Sequence, residues 1–491
     1  MHRILLGKGL SGLVHFDPRY GNRHGLVAGA TGTGKSVSLM LLAEGFSRLG
    51  VPVFLADVKG DMAGLAMPGS LSGRIAERVG ILGLEDFRPE GNPVVLWDLW
   101  GEQGHPLRVT VSEMGPVLLA RIFELSDAQS AVLDIAFRYA DEEGLLLLDL
   151  KDLRALLSHV GERRQEIGTR YGLLSANSLA AVQRALLRIE NEGGERFFGE
   201  PSLRLSDLLA PTAEGRGPIH ILAAERLIRS PRLYSSFLLW LLSELFEQLP
   251  EVGDPPLPKL VFFFDEAHLL FGDCPSALRQ KIEQVVRLIR SKGVGVYFCS
   301  QLPDDVPQEI LAQLGLRIQH GLRAFTPRDQ KALKLVAETF VPNPAIDVRA
   351  TLTTLGIGEA LVSVLGERGI PQPVDRVVMA PPRCRLGPLT AEERGVLRAA
   401  SPIGARYDHL LDRHSAYEAL TERAREAAFP RSSPPPVAIP RPETRAPSPP
   451  RRSRQGVGEA FVQSTLRSIG SALGRSLVRG VLGSLLGGRR R

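Results

Sequence analysis

Positions 29–36 read Gly-Ala-Thr-Gly-Thr-Gly-Lys-Ser, the G-x-x-x-x-G-K-[ST] pattern of a phosphate-binding loop. A short apolar strand is predicted at 24–28, and helical composition follows from Val37 to Phe46. In that context backbone N–H groups and the helix dipole converge on phosphate oxygens, Lys35 reaches the β- and γ-phosphates, and Ser36 holds Mg²⁺. An unrelated glycine-rich turn is the alternative, which the flanking segments disfavour. The sequence therefore predicts a nucleoside triphosphate site formed by Gly29, Ala30, Thr31, Gly32, Thr33, Gly34, Lys35, Ser36 and Val37.

Two carboxylates follow the most hydrophobic strand predicted in the chain. Residues 260–264 are all apolar, and Asp265 and Glu266 come directly after them in a Walker B pattern. Ligands of parallel sheets bind at the C-terminal ends of strands, so we expect Asp265 to hold Mg²⁺ and Glu266 to polarise the attacking water as general base. The alternative is an Asp-Glu pair that caps the following helix. Together with the phosphate loop, this pair predicts an ATPase that uses ATP and Mg²⁺.

The next predicted strand positions two further side chains. Gln301 ends the apolar strand that begins at Val294, where a carboxamide could contact the lytic water or the γ-phosphate and report hydrolysis. Arg290 lies just before that strand, and an arginine near a subunit boundary can stabilise transition-state charge in a neighbour's site. A solvated arginine at a helix end is the alternative. The competing arginines are Arg287, one turn earlier, and the weaker candidates Arg317 and Arg323.

A charged segment, Asp57 to Asp61, follows the predicted strand at 51–56. Its carboxylates and Lys59 fall at the nucleotide edge of the predicted sheet, which allows a contact with phosphate, Mg²⁺ or a coupling loop. A structural salt bridge is an equally good interpretation. Arg23, which lies 12 residues before Lys35, is a further candidate for a position near the nucleotide.

The composition is that of a soluble globular protein, with 44% hydrophobic and 23% charged residues in 491, enough for two or three domains. Three separated cysteines, Cys274, Cys299 and Cys384, indicate neither a disulfide framework nor a zinc site and fit a reduced, cytoplasmic setting. We find neither a signal peptide nor a long uncharged apolar run, so we expect no transmembrane segment. The formal charge of +6 is unevenly distributed along the chain. Residues 430–491 carry 12 basic and two acidic side chains, whereas residues 1–429 are mildly acidic.

Strand and helix patterns alternate through the body, which predicts an α/β fold with a mainly parallel sheet. Nine of the 21 residues in 430–450 are proline, which favours an extended linker, and small residues recur every four positions in the helical segment beyond it. This segment is interpreted as a subunit-packing helix, a nucleic-acid contact or a membrane-surface helix. The predicted divisions are a first core part at 1–110, a mainly helical insertion at 111–215, a second core part at 216–380, a helical extension at 381–429, a Pro/Arg-rich linker at 430–455 and a basic C-terminal helix at 456–491.

These motifs together resemble the HerA/FtsK superfamily of P-loop motors. The match runs along nearly the whole chain and is closest to the bacterial HerA-like C-terminal-domain (YjgR-type) proteins. The residues that carry the resemblance are 22–24, the phosphate loop, 57–61, Asp265 to His268, Gln301, Asp329 and 358–363.

The resemblance implies a RecA-like sheet interrupted by a helical insertion, and a hexameric ring with ATP bound between subunits. It implies Lys35 and Ser36 on phosphates and Mg²⁺, Asp265 on Mg²⁺, Glu266 as base, Gln301 as sensor and Arg290 as a finger acting in trans. Related motors move DNA through a central pore. Only about 22 residues precede the first predicted core strand, so we expect the N-terminal β-barrel of archaeal HerA to be absent or vestigial.

Three functions therefore compete at this stage. The first is a ring-forming DNA translocase or helicase-like ATPase, for which phosphate contacts would make DNA stimulation salt-sensitive. The second is an ATPase that remodels or docks protein partners through residues 430–491. The third is a nucleotide-gated scaffold without hydrolysis, which the presence of Glu266 beside Asp265 disfavours.

Overall fold

The computed structural model describes residues 3–271, 276–323 and 327–428. The predicted linker at 430–455, the predicted C-terminal helix at 456–491 and Cys274 lie outside the described residues. Within them the chain forms two compact units. Among the described residues, the first combines 3–109 with 189–411, and the second combines 110–188 with 412–428.

A twelve-stranded sheet forms the centre of the first unit. Its strands are β1 (Ile4–Gly9), β2 (Gly12–Phe16), β3 (Gly25–Ala28), β4 (Val53–Asp57), β5 (Val94–Asp98), β6 (His105–Pro106), β7 (Ile219–Ala223), β8 (Leu260–Phe264), β9 (Val294–Ser300), β10 (Leu316–His320), β11 (Glu359–Ser363) and β12 (Asp375–Met379).

The strand order is β2-β1-β12-β11-β10-β3-β9-β8-β4-β7-β5-β6. From β10 through β6 all neighbours are parallel, while β11, β12, β1 and β2 extend the sheet in antiparallel pairs. The central strands β3, β4, β8 and β9 are buried along their whole length, as expected for parallel strands covered on both faces. The prediction of an α/β fold with a mainly parallel sheet is confirmed.

Helices cover the sheet in the first unit and make up the second. Those of the first unit are α1 (Lys35–Arg48), α2 (Gly73–Leu82), α8 (Glu195–Phe197), α9 (Leu205–Leu209), α10 (Pro231–Gln248), α11 (His268–Phe271), α12 (Ser276–Ile289), α13 (Gln308–Leu311), α14 (Pro327–Glu338), α15 (Val348–Thr354), α16 (Ala391–Ala400) and α17 (Gly404–Tyr407). Those of the second unit are α3 (Val111–Ile122), α4 (Asp127–Glu142), α5 (Leu150–Glu162), α6 (Arg164–Tyr171), α7 (Ala176–Ile189) and α18 (Ala416–Ala428). No described helix combines the length and the apolar character needed to cross a membrane.

The helical unit is shorter than the insertion predicted at 111–215. After residue 188 the chain returns to the first unit, where the Val109 N–H donates to the Phe197 carbonyl at 2.9 Å. Further along, the Arg216 guanidinium donates to Glu90 at 2.9 Å and to Asn92 at 2.7 Å. The predicted extension at 381–429 is likewise divided at residue 412. In the second unit the Asp152 carboxylate anchors the start of α18 by accepting from the Tyr417 N–H at 2.8 Å.

Phe46 of α1 ties the helix that follows the phosphate loop to the sheet. Its ring is fully buried and meets Phe16 at 6.0 Å, Tyr297 at 5.8 Å and Phe263 at 6.4 Å between centroids. Edge-to-face contacts at such separations add to the free energy of burial. This cluster therefore holds α1 against β8 and β9, the strands that carry the other candidate site residues.

We expect Phe46→Ala to lower the free energy of unfolding of the first unit by about 3–5 kcal/mol, because it leaves a cavity among three aromatic rings. Chemical denaturation followed by tryptophan fluorescence measures this, since Trp97, Trp100 and Trp240 all lie in that unit. Leu410→Ala, at a side chain that is 66% exposed, is the control and should change the value by less than about 0.5 kcal/mol. A loss below about 1 kcal/mol for Phe46→Ala would contradict the packing role.

Candidate nucleotide site

Residues 29–36 form a loop that connects β3 to the N-terminus of α1. Gly34 is the N-cap of α1 with a φ of 114°, a left-handed conformation that glycine adopts without strain. A Cβ atom on Gly29 would lie 2.6 Å from the His320 Cβ, so the close approach of β10 also requires glycine there. The Gly29 N–H donates to the Ser300 carbonyl at 3.3 Å and the Ala30 N–H to the Gly321 carbonyl at 2.9 Å. Both neighbouring strands therefore hold the loop in place.

The Lys35 side chain lies inside this loop. It is buried, and its ammonium donates to the Gly29 carbonyl at 2.7 Å and to the Ala30 carbonyl at 3.1 Å. Burial lowers the pKa of Lys35, while the charges of Asp265 and Glu266 act in the opposite direction. Ser36 and Val37 follow in the first turn of α1 and are half-buried, whereas Thr31 and Gly32 are exposed at the tip of the loop. An N-terminal helix turn with a buried lysine beside it can bind a polyphosphate.

Asp265 follows β8 at the same edge of the sheet. Its side chain is only 1% exposed, and within the described residues its oxygens accept no N–H or O–H hydrogen bond. Burial raises its pKa to about 6, although the charge of Lys59 acts against this shift. A buried carboxylate that accepts from the Cys299 thiol but from no N–H or O–H group fits a divalent cation as its partner. Mg²⁺ is usually bound by proteins through one or two carboxylates together with substrate phosphates.

Glu266 occupies a turn immediately after the strand. Its φ is 50°, an uncommon value for a residue with a side chain, and the following Ala267 N–H stabilises the turn by donating to the Cys299 carbonyl at 2.7 Å. The buried carboxylate forms an ion pair with Lys59, and the His268 Nδ1 lies 3.1 Å from it. The sharp turn therefore directs Glu266 toward the loop that follows β4.

The segment Asp57 to Asp61 is shaped by its own first residue. The buried Asp57 carboxylate accepts from the Gly60 N–H at 2.8 Å and the Met62 N–H at 3.0 Å, which curls the chain after β4. Burial raises the pKa of Asp57 to about 7. Lys59 at the apex pairs with Glu266, and although burial opposes the charge, this contact raises the pKa of Lys59. The sequence allowed either a contact with the nucleotide or a salt bridge for this segment. The structure shows a salt bridge, and its partner is Glu266, the candidate base.

Gln301 lies between the phosphate loop and the carboxylates. It follows β9, the strand that separates β3 from β8, and the preceding Ser300 is paired in register with Ala28. The Gln301 side chain is exposed at this edge. The structure thus brings Lys35, Asp265, Glu266 and Gln301 to one edge through three consecutive strands of the sheet.

Arg23 and Arg290 lie at the opposite edge, before the first residues of β3 and β9. Both pair with Asp254, Arg23 at 2.7 Å and Arg290 at 3.2 Å. Burial raises the pKa of Asp254, but the hydrogen bonds from both arginines outweigh it and hold the pKa below its usual value. The seven residues of β9 span about 20 Å and the four of β3 about 13 Å, and both arginines are held on Asp254 at the far ends of these strands, away from the phosphate loop of their own chain. The expectation that Arg23 lies near the nucleotide is wrong for a nucleotide held by the same chain.

The other arginines are divided between the two edges. Arg287 is exposed on α12, and Arg317 is the second residue of β10 and donates to the Leu311 carbonyl at 3.0 Å. Arg323 is exposed two residues beyond Gly321, whose carbonyl accepts from the phosphate loop. Among these three, Arg323 is the one that the structure places at the nucleotide edge.

His320 contacts the site but was missed by sequence reasoning. Its Nδ1–H donates to the Glu359 carbonyl at 2.9 Å, so Nε2 accepts from the Ser38 hydroxyl at 2.9 Å. Burial lowers its pKa to about 4, which keeps the ring neutral. The imidazole thereby links β10, β11 and α1 behind the phosphate loop. In the sequence it is a single histidine near an apolar segment, and that does not reveal which strands are neighbours.

Comparison with known proteins agrees with this geometry. A sequence model of the family described as "Helicase HerA-like C-terminal" matches residues 8–491. The bacterial conjugative coupling protein TrwB, in an unbound form lacking an N-terminal part, superposes with a TM-score of 0.52 at 17% identity, covering 80% of this chain and 97% of that one. TrwB in complex with a non-hydrolysable GTP analogue gives a TM-score of 0.51 at 17% identity, covering 79% and 97%. A search of curated proteins found no match.

The identity to TrwB is low, so that similarity establishes the fold, which is the RecA-like fold of P-loop ATPases. The family model spans nearly the whole chain, including both halves of the sheet and all the site residues described above. The predicted resemblance is therefore confirmed, and the chain belongs to the HerA-like C-terminal helicase family.

Proposed function

We propose that this chain is an ATP-hydrolysing motor of the HerA type that binds Mg²⁺-ATP in the phosphate loop and hydrolyses it with Glu266. The observation that supports the proposal most strongly is the convergence of Lys35, Asp265 and Glu266 at one sheet edge, with β9 between the strands that carry them. TrwB has been described in complex with non-hydrolysable ATP and GTP analogues, which supports nucleotide binding by this fold.

Each residue has a distinct proposed role. The loop N–H groups and the Lys35 ammonium bind the β- and γ-phosphates, and Ser36 and Asp265 would hold Mg²⁺, which supplies positive charge to the phosphate oxygens. Glu266 accepts a proton from the attacking water, while Lys59 and His268 orient its carboxylate. Gln301, exposed between the two groups, hydrogen-bonds the water or the γ-phosphate.

We further propose that the chain assembles into a ring, as a hexamer by resemblance, with Arg290 acting on the neighbour's nucleotide. Arg290 lies a full strand length from its own phosphate loop, which supports a role at a partner's site. Its side chain is half-exposed, with Asp254 as an ion-pair partner. An exposed ion pair contributes little free energy, so phosphate can replace Asp254 at small cost.

The polymer that the motor moves is proposed to be DNA. Membership of a helicase family supports this choice. The alternative, a protein partner engaged through residues 430–491, rests on the composition of that segment. Its 12 basic side chains against two acidic ones suit an acidic partner of either kind.

Replacing the general base tests hydrolysis. We expect Glu266→Gln to bind ATP with unchanged affinity and to turn over at least about 100-fold more slowly, because an amide cannot accept the proton. Steady-state phosphate release and equilibrium nucleotide binding measure the two effects. Lys35→Ala is the comparison variant, in which nucleotide affinity itself should be lost. Hydrolysis by Glu266→Gln at the parental rate would refute the assignment of the base.

Mixing two inactive variants tests action in trans. Arg290→Ala keeps its own phosphate loop, and Lys35→Ala keeps its own Arg290, so an equal mixture should restore activity at about a quarter of the interfaces. A mixture of Lys35→Ala with Glu266→Gln is the control, because both defects lie on the same side of the interface and no site is completed. Mixed rings verified by co-purification of two tags that show no recovered activity would rule out Arg290 as a finger in trans.

The effect of DNA on the rate of ATP hydrolysis distinguishes a DNA partner from a protein partner. We expect single- or double-stranded DNA to stimulate hydrolysis, and the DNA affinity obtained from the stimulation curve to fall severalfold or more between about 50 and 200 mM salt, because phosphate contacts release counterions. Polyglutamate at equal charge is the control for a general polyanion effect. Hydrolysis that is indifferent to DNA, together with a protein retained by residues 430–491, would favour the protein-partner alternative.

A further inference from the structure

A short turn, Gly356 to Gly358, lies against the phosphate loop on the side away from the carboxylates. It leads into β11, which runs antiparallel to β10, so the start of β11 lies at the same edge as the ends of β3 and β10. The Gly358 N–H donates to the Thr33 carbonyl at 2.9 Å. A Cβ atom on Gly34 would lie 3.4 Å from the Gly358 Cα, which leaves the two backbones in contact.

The strand order decides which end of a bound nucleotide faces this turn. Asp265 and Glu266 follow β8, which lies on one side of β3, whereas β10 and β11 lie on the other side. The reacting γ-phosphate must point toward the carboxylates, because water attack and cation binding occur there. The ribose and base of the same nucleotide therefore extend toward β10 and β11.

The side chains of Ile357 and Arg78 at that position can pack against the face of an aromatic ring. Ile357 is a large aliphatic side chain that is 62% exposed on the turn whose next residue hydrogen-bonds the phosphate loop. Arg78 of α2 donates to the Ile357 carbonyl at 3.0 Å and to the Gly358 carbonyl at 2.9 Å. These two bonds hold the guanidinium beside the turn. A guanidinium is planar and stacks on aromatic rings.

We propose that Ile357 and Arg78 form the nucleobase subsite of this chain and bind the purine ring by stacking. This inference rests on the proposed nucleotide binding and adds the specificity of the site. The carbonyls of Ile357 and Gly358 are already engaged by Arg78, and the Gly358 N–H by Thr33. Because these backbone groups are already hydrogen-bonded, we expect the turn to contact the flat face of the base by stacking and to make few hydrogen bonds to its edge. ATP and GTP should therefore bind with affinities within about threefold of each other, because stacking is tolerant of base identity.

Calorimetric titration with three ligands tests the subsite: non-hydrolysable analogues of ATP and GTP, and inorganic triphosphate, which lacks a base. Ile357→Ala should weaken both nucleotides about tenfold, the effect of losing one to two buried methylene groups. Arg78→Lys, which keeps the charge but not the plane, should also weaken both nucleotides. Triphosphate affinity should stay the same in both variants, because its contacts are confined to the phosphate loop. Val396→Ala, at a side chain 68% exposed on α16, is the control and should leave all three affinities unchanged.

Two outcomes overturn the subsite while leaving the proposed function intact. Equal weakening of all three ligands would mean that the turn acts through the phosphate loop, and unchanged nucleotide affinities in both variants would mean that the base lies elsewhere. A strong preference of the unmodified chain for one purine would refute recognition by stacking alone. Failure of the unmodified chain to bind any of the three ligands would instead refute the proposed function, and the subsite with it.

Discussion

Strand β9 hydrogen-bonds to β3 on one side and to β8 on the other, and the candidate site depends on that double pairing. Two strand spacings place the phosphate loop and the carboxylates about 10 Å apart, which leaves room for a triphosphate and a cation between them. Each of the three strands is fully buried, so their relative positions are held by hydrophobic contacts on both faces as well as by the ladder. Phe46 extends the same packing to α1, the helix that begins with Lys35.

The edge of the sheet concentrates polar groups that are costly to bury. Asp57 and Asp265 are almost fully buried, and burial raises the pKa of both carboxyl groups. Backbone N–H donors satisfy Asp57, which has a structural task in shaping its turn. Asp265 has no such donors within the described residues, so a cation would compensate its charge. Asp57 therefore shapes the site, whereas Asp265 is available to a ligand.

The opposite edge of the sheet has a different character. The Asp254 carboxylate forms ion pairs with both Arg23 and Arg290, and Asn22 donates to the neighbouring Gly253 carbonyl at 3.1 Å. The two arginines and Asp254 are partly exposed, so water or another anion can replace their ion pairs, unlike the buried contacts around Lys35. One edge of the unit thus carries the buried contacts of Lys35 at the phosphate loop, and the other carries two arginines paired with a single exposed carboxylate.

Sequence alone determined the features that depend on local chain order. The glycines and Lys35 form a phosphate loop because strand, loop and helix are consecutive, and Asp265 and Gln301 stand at strand ends because apolar runs stop before them. Other features depend on which strands are neighbours, and only the tertiary structure decided them. They are the pairing of Lys59 with Glu266, the position of His320 behind the phosphate loop and the position of Arg23 far from it. The tertiary structure also decided that the chain re-enters the first unit after residue 188. The neighbouring strands at the site, β10 with β3, β3 with β9 and β9 with β8, are separated by tens to hundreds of residues. Their order is set by hydrophobic packing between segments that no local pattern relates.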